Sequence, residues 1–293
     1  MLAKHQIKEI LESQSLAPSK KLGQNFLIND RICKQIVDLS NLGSEETVVE
    51  LGVGLGSLTQ PLARQVKQVI GLELDSGIVD YHRRAQDLPA NVSLRHEDLL
   101  ESDFKGLAQE CGGRLKIVAN LPYSISNPLL FKLIAHAEVM EFAVLMLQKE
   151  VAERLTAGTG SKAYGIVSVI LATCASVEPL LYVDPGQFHP RPKVDSVVVK
   201  ITFHPRPSRA ELLPEHDPLL LRALVKGAFG QRRKTLGNAL AAAPQLGLEK
   251  AEVLTLLAQA GIAPETRAER LTVEDFVRLC LIIAARPAGA GAP

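Results

Sequence analysis

The sequence predicts an α/β domain, built on a sheet with helices on both faces, followed by a small all-helical domain. Through residue 148, short apolar runs alternate with amphipathic stretches, which indicates a parallel sheet covered on both sides. Beyond a segment rich in proline and charge (204–218), only helical patterns follow. We therefore predict one domain over 1–205 and a second over 206–293.

Five strands follow one another in the first domain. They are ETVVELG (46–52), QVIGLEL (68–74), NVSLRHED (91–98), RLKIVAN (114–120) and EFAVLMLQ (141–148). Helices are predicted from Ser57 and over 76–88 and 127–137, between successive strands. A proline ends a later run, DSVVVKITFHP (195–205), which predicts an edge or hairpin strand. The helical patterns of the second domain cover 219–243, 249–261 and 273–285.

The composition excludes several classes of protein. Of 293 residues, 46% are hydrophobic and 22% are charged, and the net charge is +1, so a nucleic-acid surface would need local clusters of charge. The four cysteines are scattered without a C-x-x-C pair, which disfavours a zinc site and disulfides and suits a reducing cytoplasm. The longest mainly apolar run (165–177) is too short to cross a bilayer. We predict a cytoplasmic monomer with no metal, no membrane and no DNA partner.

A glycine-rich stretch, ELGVGLGSLT (50–59), follows the first strand and opens a helix. Gly52 and Gly54 let the backbone turn tightly and approach a ligand, although a plain strand–helix turn would look the same. The spacing is G-x-G-x-G, whereas dinucleotide sites have G-x-G-x-x-G. Glu73 and Asp98 end the next two strands, where they could accept from ribose hydroxyls and from an adenine amine, or be solvated acids. Together these loops predict an adenosine site without a pyrophosphate site, which favours S-adenosylmethionine over NAD.

The fourth strand ends in Asn120, Leu121, Pro122 and Tyr123, within IVANLPYSIS (117–126). These could be ordinary turn residues, but they could also hold a flat base that carries an exocyclic amine. The Asn120 carbonyl can accept a hydrogen bond from that amine, Pro122 stiffens the turn, and Tyr123 offers a ring face. Because an amine becomes acidic only as it is alkylated, positioning and electrostatics would carry most of the rate.

The chain resembles the ribosomal RNA adenine dimethyltransferase family, and most closely its bacterial small-subunit branch. The matching segments run in family order over nearly the whole chain. They are KKLGQNFLIND (20–30), VVELGVGLGSLTQPLA (48–63), GLELD (71–75), HEDLL (96–100), IVANLPYSISNPLLF (117–131), MLQKEVAERL (146–155), GSKAYGIVSV (160–169), FHPRPKVDSVVV (188–199) and FGQRRKTLGNAL (229–240). One departure is Val53, where the family often has proline. The resemblance implies a Rossmann-like S-adenosylmethionine-dependent methyltransferase sheet.

The resemblance also implies residue roles. Gln24, Asn25 and Leu27 match the segment that closes over the cofactor. Gly52 would lie against the methionine part of the cofactor, Glu73 at the ribose and Asp98 near the adenine. Asn120 would contact both the methyl donor and the target amine, while Tyr123 and Phe188 would sandwich the extruded adenine.

The implied activity is dimethylation of the 6-amino groups of two adjacent adenosines near the 3′ end of small-subunit (16S) ribosomal RNA, within a pre-30S particle during subunit biogenesis. An extruded base needs stacking, and RNA phosphates need positive charge nearby. Three basic clusters flank the proposed segments, although any one could be a solvated surface. They are Lys20 and Lys21, Arg191 and Lys193, and Arg232, Arg233 and Lys234, the last three predicted within one helical turn.

Three alternatives remain open from the sequence. A large-subunit adenine methyltransferase of the macrolide-resistance type shares the family, although GSKAYG (160–165) and the long helical C-terminal region favour the small-subunit branch. An RNA-binding assembly factor could use the same fold without catalysis. An NAD-dependent oxidoreductase is disfavoured by the glycine spacing.

Overall fold

The computed structural model describes residues 23–203, 212–231 and 233–286. A seven-stranded sheet is built from strands between residues 47 and 203, and a separate two-stranded ribbon pairs Phe26–Leu27 with Phe188–His189. In chain order the strands are β1 (Phe26–Leu27), β2 (Thr47–Leu51), β3 (Gln68–Glu73), β4 (Val92–His96), β5 (Leu115–Asn120), β6 (Met140–Gln148), β7 (Ala175–Val183), β8 (Phe188–His189) and β9 (Ser196–Phe203).

The large sheet has the order β4-β3-β2-β5-β6-β9-β7. Strands β2 to β6 are parallel, and β9 runs antiparallel to β6. From β2 the chain first builds outwards through β3 to β4, and then returns to place β5 on the other side of β2. This reversal opens a crevice at the carboxyl ends of β2 and β5, where ligands bind in open α/β sheets.

Eleven helices are assigned within the described residues, apart from single 3₁₀ turns. They are α1 (Asp30–Ser40), α2 (Thr59–Gln65), α3 (Ser76–Ala85), α4 (Phe104–Glu110), α5 (Ser126–Ala135), α6 (Lys149–Leu155), α7 (Ile166–Ala172), α8 (Pro218–Phe229), α9 (Leu236–Ala241), α10 (Lys250–Gln259) and α11 (Val273–Ala284). Parallel crossovers on either side of β2 place helices on both faces of the sheet. The predicted α/β class with a helical C-terminal region is confirmed. None of these helices is both long and apolar enough to cross a membrane.

Local signals start the helices that flank the crevice. The Asn29 side chain accepts from two backbone N–H groups at the start of α1, and Asp75 does the same for α3. Such caps satisfy donors that a helix start leaves without partners. The sheet packs against these helices through buried side chains such as Val48 and Val118, which share one apolar cluster with Ile36 of α1. The strand ends around the crevice are therefore fixed by a dry core.

Two predictions about the sheet need correction. The run predicted over 195–205 forms β9, which lies between β6 and β7 and is not at the edge; its last two residues, 204 and 205, lie outside the described residues. The strand at that edge of the sheet is β7, which the sequence did not predict. β7 contains Pro179 and alternates irregularly between exposed and buried residues, as an edge strand can. The sheet is therefore mixed and not wholly parallel.

The chain divides into two compact units. Among the described residues, the first unit holds 23–152 and 177–203, and the second holds 153–176 together with the helices after residue 211. The sequence predicted a single boundary near residue 205, whereas here an internal segment also groups with the helical unit. Tyr164 in that segment explains part of the grouping, because its hydroxyl donates to the backbone oxygen of Leu271 (3.0 Å) and its ring packs edge-on to Phe229.

The predicted continuous helical pattern over 219–243 is divided into α8 and α9. Arg233 and Lys234 lie in the turn between these helices, so the prediction of one helical turn is wrong for this pair. Arg232 lies outside the described residues. The N–H of Leu236 donates to the backbone oxygen of Thr266 (2.7 Å), a partner distant in the sequence, and this tertiary bond starts a new helix.

Candidate functional site

A cavity of about 930 Å³, counting its open mouth, lies at the carboxyl ends of β2, β3, β4 and β5 in the first unit. Its wall includes each residue predicted to bind a cofactor: Gln24, Asn25, Leu27, Gly52, Gly54, Glu73, Asp98 and Asn120. Leu121 and Pro122 also line it. Residues far apart in the sequence thus meet in one concave site, because the carboxyl ends of parallel strands share an edge of the sheet.

Glu73, at the end of β3, holds the glycine-rich loop. Its carboxylate accepts from the N–H of Gly54 (2.8 Å) and from the N–H of Asp75 (2.9 Å). The side chain is 7% exposed, and burial raises the pKa of Glu73, although those two backbone donors lower it in part. Each carboxylate oxygen has a second lone pair, so Glu73 can still accept from a ligand in the cavity.

The loop needs its glycines for their backbone geometry. Gly52 and Gly54 have φ of 81° and 54°, in the left-handed region that other residues rarely adopt. A Cβ on Gly54 would lie 3.3 Å from the Phe26 ring. Val53 is buried between them, and a Cβ on Gly71 of β3 would come within 2.6 Å of its side chain. The valine therefore fills space above a glycine of the sheet, so this departure from the family pattern has a packing role.

Segment 24–27 forms one wall of the cavity. The Gln24 amide donates to the Asp75 carboxylate (2.9 Å), and Ser57 donates to the backbone oxygen of Leu27 (2.8 Å). The Asn120 amide nitrogen donates to the backbone oxygen of Asn25 (3.1 Å). With its nitrogen used in this way, the Asn120 side chain presents its carbonyl oxygen as an acceptor.

Asp98 follows β4, and a short network orders its loop. Its carboxylate accepts from the N–H of Leu100 (2.8 Å). The Lys132 ammonium from α5 donates to the backbone oxygens of Leu100 (2.7 Å) and Ser102 (2.6 Å). Burial lowers the pKa of Lys132, while nearby acidic residues including Asp98 act in the opposite direction. Asp98 is therefore a fixed acceptor at the cavity wall.

The two aromatic residues proposed to sandwich a base lie outside the cavity lining. The Tyr123 hydroxyl shares a hydrogen bond with Ser196 (2.7 Å), and burial raises its pKa. Phe188 is 2% exposed and packs in the same apolar cluster as Leu27 and Val198. In this structure Phe188 presents no free face to a ligand, so a stacking role requires the β1–β8 ribbon to move.

Glu50 was missed by the sequence analysis. It lines the cavity, is 1% exposed, and its Oε2 atom has no hydrogen-bond partner among the described residues. Burial raises the pKa of Glu50 to about 8. The nearby Thr59 hydroxyl lowers this pKa in part, although the two groups do not form a hydrogen bond, and the Glu73 carboxylate raises it further. The available signal was an acid inside an otherwise apolar strand, two residues before the first glycine.

Glu50 should therefore make stability depend on pH. The folded protein keeps a proton that the unfolded chain releases near its ordinary pKa of 4.5, so stability falls as pH rises from about 4.5 to about 8. The loss is roughly 1.4 kcal/mol per pH unit within that range. Glu50→Gln stays neutral, and we expect a flatter stability profile, measured by urea unfolding at pH 5, 6.5 and 8. A variant whose stability falls as steeply as the parent's would contradict this origin.

The predicted RNA-binding residues are only partly described. Arg191 and Lys193 in the first unit, and Arg233 and Lys234 in the second, are exposed. Lys20 and Lys21 lie outside the described residues. Among the residues that are described, no group of three or more His, Cys, Asp and Glu side chains is placed to hold a metal.

The family and the relatives that match this chain have names that refer to methylation of ribosomal RNA. A model of the ribosomal RNA adenine dimethylase family matches residues 17–285. A protein named ribosomal RNA small subunit methyltransferase A from Desulfotalea psychrophila is 46% identical over 279 residues, 93% of each chain. The protein of that name from Syntrophus aciditrophicus is 39% identical over 275 residues, 94% of this chain and 97% of its own.

Two solved structures have the same fold. A dimethyladenosine transferase from Plasmodium falciparum aligns with a TM-score of 0.71 and 28% identity, covering 87% of this chain and 96% of its own. The 23S rRNA methyltransferase ErmE aligns with a TM-score of 0.63 and 22% identity, covering 88% of this chain and 99% of its own. The second likeness shows the fold alone.

Proposed function

This chain belongs to the ribosomal RNA adenine dimethylase family, and from that membership we propose that it dimethylates the 6-amino groups of two adjacent adenosines near the 3′ end of small-subunit (16S) ribosomal RNA. It is an S-adenosylmethionine-dependent methyltransferase acting on ribosomal RNA. One observation carries the residue-level proposal: Glu73, Asp98 and Asn120, from three separate strand ends, line a single cavity.

The residues present fit S-adenosylmethionine. The cavity offers an acceptor at Glu73, a second at Asp98, and a glycine loop that lines its wall without side chains at Gly52 and Gly54. It also contains a carboxyl oxygen of Glu50 that has no hydrogen-bond partner within 23–203, 212–231 and 233–286, and a polar ligand atom could satisfy it. We propose that Glu73 accepts from the ribose hydroxyls, Asp98 from the adenine amine, and that Gly52 and Gly54 face the methionine part.

When bound, S-adenosylmethionine supplies an electrophilic methyl group on a sulfonium. The chain's part is to orient the target amine. We propose that the Asn120 carbonyl oxygen accepts a hydrogen bond from that amine, because the bond from its amide nitrogen to Asn25 orients the side chain. This hydrogen bond from the amine draws the nitrogen lone pair out of conjugation with the ring and towards the methyl donor. Leu121 and Pro122 keep the turn rigid and exclude water from one side.

The extruded base is proposed to lie between Tyr123 and Phe188. Stacking on an aromatic ring contributes about 1–3 kcal/mol per base and offsets part of the cost of leaving the RNA stack. Since Phe188 is buried against Leu27 in this structure, we propose that RNA binding shifts the ribbon of β1 and β8. We further propose that the substrate is a pre-30S particle. The enzyme is proposed to act as a monomer in the cytoplasm, where ribosomal subunits assemble.

Transfer of labelled methyl groups tests this function. Small and large ribosomal subunits that lack the modification are incubated with the enzyme and labelled S-adenosylmethionine, and modified nucleotides are mapped. We expect dimethyladenosine at two adjacent positions in the small subunit and no label in the large subunit. Label confined to the large subunit would favour the macrolide-resistance type. Binding to small subunits with no transfer would favour an assembly factor.

The exposed basic residues are expected to contact RNA phosphates. Replacing Arg191 and Lys193 with glutamine should weaken RNA binding. The slope of log affinity against log salt concentration should become shallower by about 0.7–0.9 for each lost phosphate contact. The pair Arg233 and Lys234 should behave alike, and adding Arg232 to that variant should flatten the slope further. The measurement is RNA affinity between 50 and 200 mM salt.

A control for charge uses Arg83, an exposed residue of α3 that pairs with Asp80. Arg83→Gln should leave the salt slope close to the parent's, and cofactor affinity should be unchanged in all of these variants. A parental slope after removal of both proposed pairs would show that these side chains do not touch phosphate.

A further inference from the structure

Lys132 on α5 holds the loop that carries Asp98, the proposed adenine acceptor. Its ammonium donates to the backbone oxygens of Leu100 (2.7 Å) and Ser102 (2.6 Å), both in the loop between β4 and α4. Within that loop, the Asp98 carboxylate accepts from the N–H of Leu100 (2.8 Å), and the Ser102 hydroxyl donates to the backbone oxygen of Asp98 (2.9 Å). The two residues that Lys132 binds are therefore the same two that fix the place of Asp98.

A lysine suits this position because the loop is acidic. The carboxylates of Glu97, Asp98, Glu101 and Asp103 all act electrostatically on the Lys132 ammonium. An ammonium group has three donors, and a charged donor makes stronger hydrogen bonds to carbonyl oxygens than a neutral donor does. One side chain thus offsets the repulsion among like charges and also bonds to the backbone of the loop.

The helix that carries Lys132 is a fixed support. Leu129, Leu130 and Leu133 of α5 are each 1% exposed or less, so this helix is set in the core of the first unit. The Lys132 ammonium also lies 4.8 Å from the centroid of the Phe104 ring, which is fully buried at the start of α4. The loop is therefore held against elements that are themselves packed.

The same helix begins beside the proposed target site. α5 starts at Ser126, just after the turn over 120–123, and the Ser126 hydroxyl donates to the backbone oxygen of Pro122 (3.3 Å). Further along the helix, Lys132 reaches the loop of Asp98. A single helix thus connects the turn proposed to hold the target amine with the loop proposed to hold the cofactor adenine.

We propose that Lys132 is a positioning residue that determines how strongly the site prefers a cofactor with a 6-amino group on its base. By holding the carbonyls of Leu100 and Ser102, it keeps the Asp98 carboxylate where it accepts from that amine. A fixed acceptor discriminates better than a mobile one, because a mobile carboxylate must first be ordered by the ligand, at a cost in binding free energy. The inference rests on the proposed contact between Asp98 and the cofactor adenine.

The first experiment examines the loop in the cofactor-free protein. Amide hydrogen exchange is measured for Leu100 and Glu101, whose N–H groups are bonded to Asp98. We expect slow exchange in the parent and faster exchange in Lys132→Met, which has a side chain of similar length without a donor. Lys132→Arg keeps a charged donor and should restore protection. Unprotected amides in the parent, or parental exchange in a folded Lys132→Met protein, would overturn the proposal whether or not the cofactor binds.

The second experiment measures the preference for the 6-amino group by calorimetry. The two ligands are S-adenosylhomocysteine, which is the demethylated cofactor, and its analogue with hydrogen in place of the 6-amino group. The parent should bind the amino compound about tenfold more tightly, the effect of one hydrogen bond. Asp98→Ala and Lys132→Met should each reduce this ratio to near one, whereas Lys132→Arg should keep most of it. A lysine that only stabilised the fold would weaken both ligands equally and leave the ratio unchanged.

The matched control is Lys105→Met, which removes an exposed lysine of α4 whose ammonium pairs with Glu138 (3.3 Å). It changes the net charge equally and should leave the exchange rates and the ligand preference at their parental values. A parental preference that survives in Lys132→Met would refute the role of Lys132 alone. A parent without any preference would instead refute the adenine contact of Asp98, and the specificity role of Lys132 with it.

Discussion

Replacing Asn120 with alanine is expected to lower the turnover of methyl transfer by about 10²–10³, as loss of one preorganised polar group does elsewhere. The amide nitrogen of Asn120 is bonded to Asn25, which leaves its carbonyl oxygen as the acceptor at the end of β5. Alanine removes the acceptor aimed at the reacting amine. Turnover is measured with saturating labelled S-adenosylmethionine and unmodified small subunits.

Two readouts accompany this measurement. Cofactor affinity, measured by calorimetry, should fall only modestly, and binding to small subunits should stay near the parental value. Phe188→Ala offers a contrast, because it should leave cofactor affinity unchanged while lowering transfer and raising the ratio of mono- to dimethyladenosine. An Asn120→Ala enzyme with parental turnover would remove the proposed role. Parental rates and a parental product ratio for Phe188→Ala would leave that ring as a core residue.

Glu73→Ala is expected to weaken S-adenosylmethionine binding by about 1.5–3 kcal/mol, from loss of charge-assisted hydrogen bonds to the ribose. The structure adds a second cause, since the same carboxylate fixes the backbone N–H groups of Gly54 and Asp75. Calorimetry gives the affinity. Because the pKa of Glu73 is raised, we also expect a pH dependence. The contribution of Glu73 to cofactor affinity should weaken as pH falls and the carboxylate takes up a proton.

The matched control is Glu138→Ala, which removes an exposed acid whose partner is Lys105 (3.3 Å). It changes the net charge equally and should leave affinity unchanged. Circular dichroism and unfolding curves establish that Glu73→Ala is folded. Unchanged cofactor affinity in a folded Glu73→Ala protein would refute the ribose assignment.

Much of the site followed from the sequence, because the end of a parallel strand can be read from local pattern. The apolar runs that end at Glu73, Asp98 and Asn120 place these residues at one edge of the sheet, and the family resemblance gave them roles. Segment 24–27 is different. Its place on the cavity wall depends on a ribbon with β8, about 160 residues away, and only the family resemblance pointed to it.

By itself, the sequence determined the fold class, the five parallel strands, the strand ends that carry Glu73, Asp98 and Asn120, and the family, since each depends on local periodicity or on a contiguous motif. Only the tertiary structure decided which buried groups meet. It left Glu50 Oε2 without a hydrogen-bond partner among the described residues, enclosed Phe188 in the core, and brought His82 between Gly54 and Asp87. It also placed Arg233 between two helices, because α8 ends at Phe229 and bonds from Leu236 and Gly237 to a distant segment start α9. Each of these outcomes depends on partners that a reading of neighbouring residues does not contain, because burial and hydrogen bonding are settled in three dimensions.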